Sequence, residues 1–496
     1  MNKKHTGHLI RRAIAVSGAF ALAVAGVSVI AAPANAASTV GNVPSGPYTL
    51  TITKLAYPDS GSVPNDGGNE QDVSTYSPIK GVDYTIAPVE GVDLSTAQGW
   101  QTASELKVSE SGVVTDSDNN TYTVGSAEPL PATNGSGVTT YTTSTSAVYV
   151  VTETTGSQSV VAVAPPFLVT LPLPNNNSWL TDVYVYPKNT VAATPSKTVD
   201  DSGVYGLGQT IKWTITSTIP AFAPPATLES YAVQDTLDSR LSLTSTSDVA
   251  LTLNGVTVDP SDYTASVENG TLAVSFTASG ISLLKESAGA TLDTVIPTTV
   301  TSVGSGTIQN TPVVNINGKT FTGAPAQTTW GSVQLKKVDA NQPGNALAGA
   351  VFQVFTSKSD AQALTNPVSV DGQTSFTSAN TGLVNIEGLK AQNDGSGADL
   401  TYYIVEVTPP TGFDVAPAFE QSAGGYAVTV NPGGISANPQ IVVADPQVPP
   451  LSLPLTGSTG TLIFLGGGAA VIALALGIAM VVSRRKRLNA APTVTK

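Results

Sequence analysis

Between residues 37 and 446, apolar positions recur at every second residue in short runs, and helical spacing is almost absent. Leu50, Ile52 and Lys54 share one parity, as do Tyr149, Val151 and Glu153. Ile211, Trp213 and Ile215 alternate with Lys212, Thr214 and Thr216. Strand side chains point alternately to opposite faces, so these runs predict half-buried strands. Turn-forming clusters punctuate them at short intervals in a body rich in Thr, Val, Ser, Gly and Pro. The pattern predicts an all-β chain of about three tandem immunoglobulin-like β-sandwich domains. Turn residues at Pro187 to Pro195 and at Gly323 to Gly331 suggest divisions at 37–188, 189–330 and 331–446, followed by a spacer and tail at 447–496.

Several of these runs end on a charge. Val333, Leu335 and Lys337 share a face, as do Tyr402, Ile404 and Glu406, and Ile441, Val443 and Asp445. In the middle region Tyr231, Val233 and Asp235 share one face, and Ile308 and Asn310 another. Either each strand stops there and its last side chain meets water, or a buried lysine faces a buried acid. Asp116 to Asn120 begins like a calcium loop but lacks the Gly and distal Glu of one, so it reads as a polar hairpin turn.

The two ends carry different patterns. Lys3, Lys4, Arg11 and Arg12 precede an apolar stretch from Ala13 to Ala32, and Ala34-Asn35-Ala36 offers small residues for cleavage after Ala36. At the other end, Leu453-Pro454-Leu455-Thr456-Gly457 precedes an apolar run from Leu462 to Val482 and then Arg484, Arg485, Lys486 and Arg487. Roughly twenty apolar residues in a helix cross a hydrocarbon core about 30 Å thick, and the basic cluster stays cytoplasmic. The chain before Leu462 is therefore expected outside the cell.

Composition removes whole classes of chemistry. Cutting at Ala36 and Thr456 leaves 13 Lys and Arg against 35 acids, a net charge of −22, which repels nucleic acid. His5 and His8 lie in the leader and the chain has 0 Cys. Ser/His/Asp and Cys/His catalysis, the usual zinc sites and disulfides are thereby excluded, and neither cofactor nor metal is expected. Paired carboxylates could still cleave glycosides, but the acids singled out lie one per domain beside a lysine. The chain is therefore not expected to be an enzyme.

The pentapeptide, apolar run and basic tail together resemble the LPxTG sorting signal of Gram-positive surface proteins. The segment Trp179 to Lys188, WLTDVYVYPK, resembles the WxxxVxVYPK motif of Gram-positive shaft pilins position for position. Tyr402 to Phe413, YYIVEVTPPTGF, resembles the pilin E-box YxLxETxAPxGY, with departures that include Val407, Pro409 and Phe413. The third region is similar to the B-type repeat of collagen adhesins, and the chain as a whole resembles a sortase-assembled backbone pilin.

The resemblance implies that a sortase cleaves between Thr456 and Gly457, holds Thr456 as a thioester, and passes it to Lys188 of another copy. In the parity of the motif, Val183 and Val185 share one face while Tyr184, Tyr186 and Lys188 share the other. It also implies intramolecular isopeptide bonds, Lys197 to Asn310 assisted by Asp235, and Lys337 to Asp445 assisted by Glu406. Asp445 stands where the family has Asn, so water would leave instead of ammonia. Lys54 and Glu153 suggest a further site closing on Asn189, next to Lys188. Burial lowers a lysine pKa and raises that of an acid, giving a neutral nucleophile beside a proton donor. The expected partners are further copies of the chain, a pilus-specific and a cell-wall sortase, peptidoglycan, minor pilins and host surface ligands. The competing reading is a stand-alone or pilus-decorating LPxTG adhesin, which shares the sorting signal without needing the pilin motif.

Overall fold

A computed structural model describes residues 42–57, 67–156, 159–392, 399–449 and 472–483. The signal peptide and the sorting pentapeptide Leu453 to Gly457 lie outside the described residues. Residues 472–483 of the carboxy-terminal apolar run are helical, with exposed side chains such as Leu474 and Met480. Among the described residues no helix is long and apolar enough to cross a membrane.

In the first region, strand Tyr48–Thr53 lies between Val138–Thr143, antiparallel, and Asp182–Val185, parallel. A second sheet runs in the order Phe167–Leu171, Ala147–Thr155, Asp83–Pro88, Glu128–Pro129. The core between them holds Leu50, Ile52, Tyr84, Tyr149, Val151 and Val183. Strand Ala147–Thr155 is buried on both faces. Tyr149 and Val151 enter this core, while Val148 and Val150 enter a smaller one with helix Ala97–Glu105. That helix starts on Thr96, whose hydroxyl accepts from the Gly99 N–H. Asp116 to Asn120 forms the turn of a hairpin, with Asp116 Oδ1 accepting from the Asp118 and Asn120 N–H groups.

The middle region is a two-sheet sandwich. Ser196–Asp200, Thr210–Thr218, Thr291–Val300, Ala250–Leu253 and Val256–Thr257 form one sheet, with Leu241–Leu243 also on Thr291–Val300. Tyr263–Glu268, Thr271–Phe276, Tyr231–Thr236, Val313–Ile316 and Lys319–Thr322 form the other. Ile211, Trp213 and Ile215 fill the space between, each fully buried. The Trp213 indole N–H donates to Thr298 Oγ1 at 3.0 Å, satisfying the one polar atom of that ring.

In the third region, Ala326–Asp339 pairs with Leu383–Lys390, antiparallel, and with Ile441–Asp445, parallel. The facing sheet is Phe376–Thr377, Val351–Phe355, Thr401–Thr408, Tyr426–Thr429. Two expected divisions fall inside strands. Residues 188 and 189 both belong to Lys188–Val191. Residues 330 and 331 belong to Ala326–Asp339, which begins paired with Thr307–Asn310 before it enters the third sheet. Gly331 packs tightly at the second of these positions: a Cβ on it would lie 2.2 Å from the Asn431 carbonyl.

Candidate functional site

Three buried clusters recur along the molecule, each a lysine in or beside an early strand meeting an acid from a middle strand and an amide or acid from a late one. In the first, the parity of Leu50 and Ile52 carries Lys54 into the core, and that of Tyr149 and Val151 carries Glu153 there. Lys54 Nζ donates to Glu153 Oε2 at 2.6 Å, and Asn189 Nδ2 donates to Glu153 Oε1 at 2.5 Å. Lys54 and Asn189 are both 0% exposed. The Asn189 carbonyl oxygen accepts from the Ala164 N–H at 2.6 Å. Burial lowers Lys54 to about 8 against the opposing pull of Glu153, and the charge of Lys188 lowers it further.

The second cluster lies in the middle sandwich. Lys197 Nζ donates to Asp235 Oδ2 at 2.6 Å, and Asn310 Nδ2 donates to the same oxygen at 3.2 Å. Burial lowers Lys197 to about 8 and raises the Asp235 carboxyl, each against the attraction of the other. Asn310 Oδ1 and Asp235 Oδ1 are buried and have no hydrogen-bond partner among the described residues.

The third cluster is the most enclosed. Lys337 Nζ donates to Glu406 Oε2 at 2.8 Å and contacts Asp445 Oδ1, with all three side chains fully buried. Asp445 Oδ1 also accepts from the Ala416 N–H at 3.0 Å. Burial pushes Glu406 up to about 8, opposed by Lys337 and aided by Asp445. The register puts Val443 and Asp445 inside with Lys337, while Ala444 faces the other way.

A ring covers each amine, and the parity argument did not single these rings out as site residues. Lys54 Nζ lies 5.9 Å from the Tyr84 ring centroid, Lys197 Nζ 5.5 Å from Trp213 and Lys337 Nζ 5.9 Å from Phe352. All three rings occupy core positions in their strands, and of the three only Trp213 stood out by alternation, as a packing residue.

Lys188 departs from the expected geometry. The motif is not one strand running out to a solvent-facing lysine: Asp182–Val185 ends, Tyr186 and Pro187 intervene, and Lys188–Val191 begins a second strand beside Leu55–Ala56. Pro187 has no N–H to continue a ladder, and its carbonyl accepts from Leu55 N at 3.1 Å. Lys188 is half-buried, which lowers its pKa. Tyr186 is also half-buried, its hydroxyl accepting from the Gln71 N–H at 2.6 Å. Trp179, at the head of the motif, sits 5.1 Å from Trp100 of helix Ala97–Glu105 between ring centroids. The pairing fastens hairpin Leu173–Leu180 to that helix.

Comparison with known proteins agrees with this architecture. Residues 46–190 match the N-terminal D1 domain of Gram-positive pilin subunits, 331–431 a prealbumin-like fold domain, and 452–489 the LPXTG cell wall anchor motif. The chain is 31% identical to fimbrial subunit type 2 of Actinomyces naeslundii, with 98% of each chain covered. It is 27% identical to fimbrial subunit type 1 of Actinomyces viscosus, over 97% of this chain and 98% of that one. The full-length major pilin SpaD of Corynebacterium diphtheriae shares the fold, with a TM-score of 0.65 at 20% identity over 82% of this chain and 98% of that one. Fold, anchor and relatives define the class, a sortase-assembled pilin of the Gram-positive cell surface. Within it the chain belongs to the family of fimbrial subunits. It is a structural pilus subunit anchored to the cell wall, and the stand-alone adhesin reading is not favoured.

Proposed function

We propose that this subunit forms the fimbrial shaft by joining Thr456 of one copy to Lys188 of the next, and that three internal amides lock its sandwiches. The observation that carries the reading is the recurrence of one arrangement in three regions of the chain: a buried lysine whose ammonium meets an acid that also accepts from an Asn amide or, in the third, lies beside Asp445. Three unrelated buried charges would each be costly and without purpose.

In the first two sites the neutral Lys amine attacks Cγ of Asn189 or Asn310. The new C–N bond forms as the old one breaks, and ammonia leaves. At the third site Lys337 attacks Cγ of Asp445 and water leaves. The acid takes the proton given up by the amine and returns it to the departing group, so it ends unchanged. Glu153 is well disposed for this, with one oxygen on the amine and the other on the leaving nitrogen. Holding amine and carbonyl together in a dry core supplies the proximity that an intermolecular reaction lacks.

Between subunits the amine is Lys188, whose lowered pKa increases the neutral fraction available to the Thr456 thioester. Pilus and cell-wall sortases, peptidoglycan and further copies of the chain are the partners this chemistry requires. Extracts boiled in detergent are expected to show a ladder of sizes from the wild type and a single size from Lys188→Ala. A ladder that survives the substitution would reject Lys188 as the joining amine.

A further inference from the structure

A fourth lysine, Lys390, is as deeply buried as the other three, and no motif pointed to it. Its Nζ donates to Asp201 Oδ1 at 2.6 Å and to the Asp201 carbonyl at 2.7 Å. The other carboxyl oxygen, Oδ2, accepts from Thr328 Oγ1 at 2.6 Å. Both charged side chains are 1% exposed. Asp201 follows strand Ser196–Asp200 of the middle sandwich, whereas Lys390 ends strand Leu383–Lys390 of the third. The pair therefore spans two domains.

The surrounding backbone spans them too. Lys390 N donates to the Tyr205 carbonyl at 3.0 Å, and Leu207 N to the Gly388 carbonyl at 2.8 Å. The 205–207 segment thus runs beside the third sheet as a short added edge. Gly388 permits this: its φ is +103°, and a Cβ there would lie 2.1 Å from the Leu207 side chain. The Tyr402 hydroxyl closes the joint by donating to the Lys390 carbonyl at 2.8 Å. Beneath it, strand Ala326–Asp339 and one continuous apolar core belong to both domains.

We infer that Asp201 and Lys390 form a non-covalent clamp that holds the middle and third sandwiches as one rigid body. The three condensing clusters define why it stays ionic. Each of them has a carboxyl group besides the acceptor to carry protons. Among the described residues no second carboxylate pairs with Lys390, and both Asp201 oxygens are occupied by donors. Asp200, the neighbouring acid, is exposed and bonded to Ser202. A buried pair satisfied on all sides fixes one relative position of its two partners, because any slide strands a charge in the core.

Peptide mapping and hydrogen exchange on the full-length chain in detergent test this. Proteolysis is expected to yield the Asp201 and Lys390 peptides separately; a peptide joining them through an amide would overturn the non-covalent assignment. In Lys390→Met, the amides of Leu207 and residue 390 are expected to exchange at least about tenfold faster than in wild type. Thr328→Val keeps both charges and removes one hydrogen bond, and is expected to give a smaller change at the same amides. Unchanged exchange there in both variants would show that the pair holds nothing together.

Discussion

Glu153 divides its two oxygens between Lys54 and Asn189, while the Ala164 N–H donates to the Asn189 carbonyl that the proposed condensation would attack. Asp445 has an equivalent donor in Ala416, but among the described residues none reaches the Asn310 carbonyl oxygen. Fixed N–H donors stabilise charge that develops on oxygen as an amide is attacked. In newly synthesised chain followed by mass, loss of ammonia from the middle region should therefore lag behind the other two condensations. A middle region that reacts first would contradict this. Asn310→Ala leaves Lys197 and Asp235 unreacted and exposes their titration. Lys197 is near 8 when folded and 10.5 when unfolded, so between these values the unfolded chain holds more protons and stability rises with pH. Asp235 is raised above 3.8 on folding, so its contribution is fully present below that value and is lost as pH rises through its folded pKa. Melting temperature of this variant against pH should accordingly dip and then climb toward alkaline pH. A flat profile would argue that neither group is perturbed.

The strand carrying Lys188 is held by elements on either side. Its Asn189 enters the first cluster, its Thr190 hydroxyl accepts from the Ala223 N–H at 3.0 Å, and the motif before it rests on Trp100 through Trp179. Trp179→Ala removes a ring pair worth about 0.5–1.5 kcal/mol beyond its buried area. Calorimetry should show the first region melting earlier, with the middle region unchanged. Equal shifts in both would mean that the pair is not local. Alternation made the strands legible and placed Lys54, Glu153, Lys337, Glu406 and Asp445 on the parity of apolar faces, but it left open whether each met water or a buried partner, because parity is a local property and a partner across the core is not. The turn composition from Pro187 onward marked a break there, but the parity of the motif was carried through Pro187, a residue unable to ladder, to Lys188. The helices Ala97–Glu105, Ala278–Lys285 and Lys358–Ala363 are too short for apolar periodicity to register, and Thr96, Thr277 and Ser357 cap them. Lys390 and Asp201 escaped notice because their meeting depends on how two sandwiches dock, which no local pattern records.

Along the whole molecule, the proposed bonds define a short covalent route from Lys188 to Lys197, across to Asn310, on to Lys337, across to Asp445 and out to Thr456. The bodies of the middle and third sandwiches lie outside that route, so tension on the fibre would bypass their folded cores. Two kinds of bond are then separable by experiment. Glu153→Gln, Asp235→Asn and Glu406→Gln together keep shape and hydrogen-bonding groups but remove the proton carriers, leaving Lys188 and the sorting signal intact. Such a chain is expected to polymerise, giving the same ladder in boiled detergent. Each sandwich should lose the restriction that a cross-link places on its unfolded state, about 4–5 kcal/mol for a loop of roughly 100 residues in the entropy model. The fibres should therefore melt earlier and yield faster to protease, though no shorter. Wild-type melting and protease resistance in this triple variant would mean that the buried clusters stabilise the shaft as ion pairs and not as covalent ties. Loss of the ladder would mean instead that the first cluster is needed to present Lys188, since Asn189 adjoins it in the same strand.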